Sequence, residues 1–166
     1  MVIRALSGLV VDRRGLQGEA QAVILSPPIS VFQLVSDITR MGEWSPECRR
    51  CEWLDEDAGA SVGARFRGYN QRGWLKWQMN CTVSAFEPER VFAFEVSTPG
   101  GQLQTRWRYE IEPAEGGTIL TESFQVLWYI RFFYRLFFGG RQRRLAQLED
   151  GVRQTLARIK VAAEIL

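Results

Sequence analysis

The sequence predicts an α+β fold in which a curved antiparallel sheet of about seven strands wraps around one long C-terminal helix. Three observations carry this expectation. Apolar and polar residues alternate through much of residues 48 to 126. Short turn-forming clusters interrupt that stretch at hairpin spacing. A single helical stripe then occupies the C-terminal end.

Residues 18–25, GEAQAVIL, read as the first strand. Ser26-Pro27-Pro28 follows as a helix start, because proline suits the first helical turn and serine is able to cap it. Ile29, Phe32, Leu34, Val35 and Ile38 recur at roughly helical spacing, and Gly42 and the Trp44-Ser45-Pro46 bend end the segment. One helix or two short ones fit between those limits. The strand run beyond Cys48 is divided at 55–61, 71–73, 87–89, 99–101 and 115–117, which predicts antiparallel hairpins.

Within these strands Leu75, Trp77, Met79, Cys81, Val83 and Ala85 share one face. Phe92, Phe94 and Val96 oppose Val91, Ala93 and Glu95, and Trp107, Tyr109 and Ile111 oppose Arg106, Arg108 and Glu110. One apolar face and one wet face are what a half-covered antiparallel sheet requires. Last, Leu145, Leu148, Val152, Leu156, Ile159 and Ala163 form one stripe over 141–164, a helix on the order of 35 Å long.

A chain of 166 residues accommodates one such domain, expected over 18–166, with residues 1–17 as an N-terminal extension. There is no histidine. The commonest zinc ligand and the histidine of Ser-His and Cys-His nucleophiles are therefore missing, and no metal or cofactor is expected. Three cysteines, an odd number, argue against a disulfide framework. The start MVIRALSGLVVDRRG lacks the basic segment and unbroken apolar run of a secretion signal, and no window is apolar enough to span a bilayer. A cytoplasmic protein, possible membrane association included, is the resulting expectation.

The net charge of +2 is unevenly spread. Arg131, Arg135, Arg141, Arg143 and Arg144 lie within residues 128–144, where there is no acid, so the remainder of the chain is net acidic. One local basic patch points to an anionic surface and away from nucleic acid.

The element order, together with SPPISVFQLVSDITRMGEWSPE, VGARFRGYN, GGTILTES and TLARIKVAAE, resembles the SRPBCC superfamily, the START and Bet v 1-like helix-grip proteins, and in particular its actinobacterial polyketide cyclase/dehydrase-like branch. The resemblance spans about residues 18–164. It implies a deep cavity between the sheet and the long helix that holds a hydrophobic small molecule. Members of the superfamily range from lipid carriers to cyclases of aromatic polyketides, and they share no universal catalytic set. The first 17 residues and the aromatic-arginine insert before the last helix fall outside the common pattern.

Strand parity sets Glu122 with Leu120 and Phe124. If those two face inward, a carboxyl enters an apolar cavity, where it must find a partner or keep its proton. Glu122 and Tyr109 are thus the candidate catalytic pair, and a bulge that turns Glu122 to solvent is the alternative. Asn70, in parity with Phe66 and Gly68, is a candidate hydrogen-bonding group. Trp77, Met79, Phe94 and Trp107, with Leu148 and Val152 of the last helix, are expected to supply apolar contact with a ligand. Trp44 is either the lip of that cavity or core filler. Asp37 is expected to serve a helix end or turn.

Cys48 and Cys51 form a C-x-x-C, but residues three apart on a strand point to opposite faces, which argues against a redox or metal site. The segment WYIRFFYRLFF, 128–138, is expected to be helical, with Arg131 and Arg135 on one narrow face and Phe132, Phe133, Leu136 and Phe137 around the rest. With Arg141, Arg143 and Arg144 it is a candidate membrane contact, aromatic bulk in the headgroup layer and guanidinium on phosphate. A cavity-mouth plug or a contact between copies is the alternative; the oligomeric state stays open. Three functions follow: a binding protein or carrier for a lipid-like or polyketide-like molecule, a polyketide cyclase/dehydratase-type enzyme, or an interaction module acting through 128–144.

Overall fold

A computed structural model describes residues 16–55 and 59–165. The sequence expectation for residues 1–15 lies outside them. The described residues begin with β1 (Leu16–Ile24), two residues earlier than its pattern suggests, and continue through α1 (Pro28–Ser36), a 3-10 turn (Ile38–Arg40) and α2 (Met41–Trp44). Six strands follow: β2 (Cys48–Trp53), β3 (Arg65–Arg72), β4 (Leu75–Glu87), β5 (Val91–Ser97), β6 (Leu103–Ala114) and β7 (Gly117–Val126). Two helices end the chain, α3 (Arg131–Phe138) and α4 (Arg141–Ile165).

The sheet has seven strands in the order β1-β7-β6-β5-β4-β3-β2, each pair antiparallel. Strands β2 to β7 form a meander of hairpins, while the α1–α2 segment carries the chain from one sheet edge to the other. Helix α4 lies along β1 and touches α1, α2, α3 and β7, so it covers the sheet from one side. This is the expected α+β helix-grip arrangement. Leu148, Val152, Leu156, Ile159 and Ala163 are buried on the inner stripe of α4.

Several local readings change. Ser26 does not cap α1: Pro27 holds the cap position without a side-chain bond, and the Ser26 carbonyl instead accepts from Thr118 Oγ1 at 2.7 Å. Proline satisfies this start because the first-turn N–H groups have no helical partner in any case. In β4 the register shifts between Val83 and Ala85. Beyond that bulge Phe86, not Ala85, turns inward and meets the edge of Phe32 with ring centroids 5.2 Å apart. Val91 and Ala93, assigned to the wet face, are buried as well. Asp37 acts as a turn residue, its Oδ1 accepting from the Thr39 amide at 3.1 Å and from the Thr39 hydroxyl.

A second bulge lies in β2, between Cys48 and Arg50. The extra residue reverses the side-chain parity, so Cys48 and Cys51 fall on the same buried face with sulfurs 3.4 Å apart. The expectation of opposite faces fails here because it assumes an unbroken strand. The bulge presses the Arg49 carbonyl against Gly42, where an added Cβ would stand 2.2 Å from that oxygen. Gly42→Ala is therefore expected to destabilise the fold by about 1–3 kcal/mol, as forced overpacking does, which equilibrium urea denaturation reads directly.

Candidate functional site

Between the inner face of β3 to β6 and the helices α3 and α4 lies a cavity of about 470 Å³, within the size range of small-molecule sites. Gly68 and Asn70 of β3, Trp77 and Met79 of β4, Phe94 of β5 and Trp107 of β6 line the sheet side. Leu148, Val152 and Thr155 line the α4 side, with Phe133, Tyr134 and Phe138 of α3 closing one end. The lining is predominantly apolar. The edge-on Trp77–Phe138 contact, with centroids 5.9 Å apart, ties the sheet wall to α3.

Glu122 and Tyr109 are cross-strand partners on β7 and β6 and both border this cavity. Parity holds through β7: Thr118, Leu120, Glu122, Phe124 and Val126 are all buried. The Tyr109 hydroxyl donates to Glu122 Oε1 at 2.9 Å, while Oε2, also buried, has no hydrogen-bond partner among the described residues. Burial pushes the Glu122 carboxyl up to about 8, with the Tyr109 hydrogen bond opposing. Burial, aided by the neighbouring carboxyl, also raises the Tyr109 phenol well above its ordinary range. At neutral pH the pair is thus mainly neutral, and the Glu122 proton is available to a hydrogen-bond acceptor in the cavity.

Trp44 takes the core position of its two readings. It is 2% exposed and does not line the cavity; its carbonyl accepts from Arg158 at 3.1 Å. Arg144 is not a surface cation either. It is buried, with Nη1 and Nη2 forked onto Glu47 Oε1 and Oε2 at 2.5 and 2.9 Å and its guanidinium 4.2 Å from the Phe138 ring centre. Glu47 also accepts from Arg72, so one carboxylate joins the start of α4 to the sheet. This ion pair offsets the unfavourable placement of a cation in the first turn of a helix. Arg131, Phe132, Phe133, Arg135 and Arg143 are exposed, whereas Phe137 and Arg141 are half-buried.

Glu47, Tyr134, Phe138 and Thr155 were not singled out from sequence, although all four line the cavity. So does Cys48, whose thiol is pulled down by the hydrogen bond with Cys51; that same bond and burial drive the Cys51 thiol up.

Residues 17–164 match the family described as polyketide cyclase/dehydrase and lipid transport. The chain belongs to that family. A polyketide cyclase-like protein from Corynebacterium glutamicum, solved in solution, is 35% identical and superposes with a TM-score of 0.61 over 93% of this chain and 94% of its own. The Zhui aromatase/cyclase of a Streptomyces species is 15% identical, with a TM-score of 0.70 over 89% of this chain and 93% of that one. Ara h 8.0201 is 11% identical, with a TM-score of 0.63 over 89% and 96%. The last two are likenesses of fold. No curated protein sequence matches the chain. The family supports a ligand-binding or cyclase role.

Two expected outcomes follow from the site. An unfolded glutamate loses its proton near 4.5, whereas the folded chain keeps that of Glu122 up to about 8. The folded state binds the extra proton throughout that window. The Glu122 contribution to stability therefore falls as pH rises from 4.5 towards about 8 and levels off above it. Glu122→Gln is expected to remove this component, seen as a shallower decline of the urea midpoint with pH than in the wild type. Glu47→Ala leaves the Arg144 charge buried without its carboxylate and is expected to cost about 3 kcal/mol in the same measurement.

Proposed function

We propose that this protein binds a hydrophobic small molecule, lipid-like or polyketide-like, in the cavity between sheet and α4, and acts as its carrier. The observation that carries the proposal is a buried carboxyl, Glu122, whose second oxygen has no partner among the described residues, facing a mostly apolar cavity of about 470 Å³. Apolar burial against Trp77, Met79, Phe94 and Trp107 supplies most of the affinity. The proton on Glu122 and the amide of Asn70 orient an oxygen of the ligand.

The Tyr109–Glu122 hydrogen bond favours a second reading, a cyclase of poly-β-keto chains. The ionised fraction of Glu122 would take a proton from a methylene between two carbonyls. The resulting carbanion would attack a second carbonyl of the folded chain, and the same proton would return to the new alkoxide. Carrier and cyclase differ in what leaves the cavity: an unchanged molecule in the first case, a cyclised one in the second.

The test is a fluorescence titration with a long-chain fatty acid probe and with a neutral ketone-bearing analogue of the same length. Saturable one-to-one binding of both is expected. Affinity for the ketone should weaken as pH rises through about 8, where Glu122 loses the proton it donates. Glu122→Gln keeps a donor and should bind the ketone with altered affinity and without that pH step. Unsaturable binding of both probes would contradict the reading.

A further inference from the structure

Helix α3 is built the wrong way round for a surface helix. Its inner face, Tyr134 and Phe138, packs towards the cavity and Arg144. Its outermost ridge should then be polar, yet that ridge is Phe132 and Leu136, four residues apart, 75% and 63% exposed. Arg131 and Arg135, also four apart, run beside this ridge on one flank. On the other flank Phe133 packs at a tilt against Phe137, centroids 4.5 Å apart, and Phe137 meets Trp74 at 6.0 Å. Trp74 stands at the tip of the β3–β4 hairpin, 82% exposed. Apolar surface thus continues from the hairpin tip across α3 to Ile130, itself half-exposed.

The patch is continuous with the cavity. Phe133, Ile130 and Trp128 are exposed and at the same time line it. Charge says what covers the patch. No acidic residue occurs between Trp128 and Arg144, and Glu47, the carboxylate that reaches this region, is taken up by Arg144 and Arg72. Exposed Arg131, Arg135 and Arg143 therefore frame an apolar ridge with a single sign of charge. A soluble apolar ligand needs no such frame, and a second copy of this chain would bring like charges together. An anionic lipid surface matches both features, with side chains entering the acyl boundary and guanidinium groups on phosphate. No helix among the described residues is long and apolar enough to cross a membrane, so the contact is peripheral.

We infer that α3 and the β3–β4 hairpin tip form a docking surface for an anionic lipid bilayer, placing the cavity mouth against the membrane from which the ligand is loaded. This inference rests on the cavity reading above and adds the partner from which the ligand comes.

The test is flotation of the purified full chain with phosphatidylcholine vesicles, with and without a phosphatidylglycerol fraction, at low and at high salt. Binding to the anionic vesicles is expected, lost at high salt as screening removes the attraction. Each arginine near such a surface is worth about 1 kcal/mol, so Arg131→Gln with Arg135→Gln is expected to weaken binding by about twentyfold or more. Phe132→Asp with Leu136→Asp should abolish it while leaving the fatty acid titration unchanged, because neither residue lines the cavity.

Absence of binding to both vesicle types would overturn the inference, as would binding indifferent to the Phe132/Leu136 substitutions. A wild-type dimer in light scattering that the same substitutions convert to monomer would also overturn it and assign the patch to self-association. Failure of docking with intact fatty acid binding rejects this inference alone. Docking with no saturable fatty acid binding rejects the cavity reading.

Discussion

The structure depends on a mismatch of widths. Seven strands at about 4.8 Å spacing present an apolar face roughly 30 Å across, whereas a helix with its side chains is only about 10 Å wide. One helix cannot cover such a face. The sheet curves, α4 is laid along β1, and the crossover helices α1 and α2 take part of the remainder. What is left over, between β3 to β6 and the start of α4, is the cavity, and α3 closes one end of it. The cavity is thus a consequence of how the sheet is covered, and the residues at its edge decide whether it is held open or filled. The Glu47 carboxylate holds that edge, tying Arg144 at the start of α4 to Arg72 at the end of β3.

Within that space the proposed chemistry rests on Glu122, a buried acid of the cavity wall. Strand pairing alone puts Glu122 opposite Tyr109 and between Leu120 and Phe124, and burial then keeps its proton on. A neutral acid is a donor in an apolar site, which suits orienting one oxygen of an otherwise hydrophobic molecule. A pair that is mainly neutral at physiological pH, yet close to titrating, also leaves general acid-base work within reach. The family spans both outcomes, which is why substrate turnover, and not fold, separates them.

Much of this was legible in the sequence. Alternation and turn spacing gave the sheet, the C-terminal stripe gave α4, and parity alone pointed Glu122 inward, because each rests on contacts between near neighbours or on a strict period. The failures share the opposite origin. The β2 bulge that reverses Cys51 is tied to a glycine seven residues earlier, on another element, with its surface against the Arg49 carbonyl. The bulge in β4 shifts parity from Ala85 to Phe86, with no glycine or proline at the slip to mark it. Glu47 finds Arg144 across 97 positions, so neither residue carries a local sign of the other. For Trp44 the sequence leaves cavity lip and core filler both open, and only the tertiary packing of α2 against β2 and α4 decides for the core.

The most direct test of the central claim is the mass of the protein purified without detergent from its native cells, measured under native and then denaturing conditions, with extraction of whatever is released. The account predicts a stoichiometric added mass in the native spectrum that is lost on denaturation and is recovered as a chemically single hydrophobic molecule. A native mass equal to the bare chain, persisting after incubation with the lipid extract of the same cells, would contradict it.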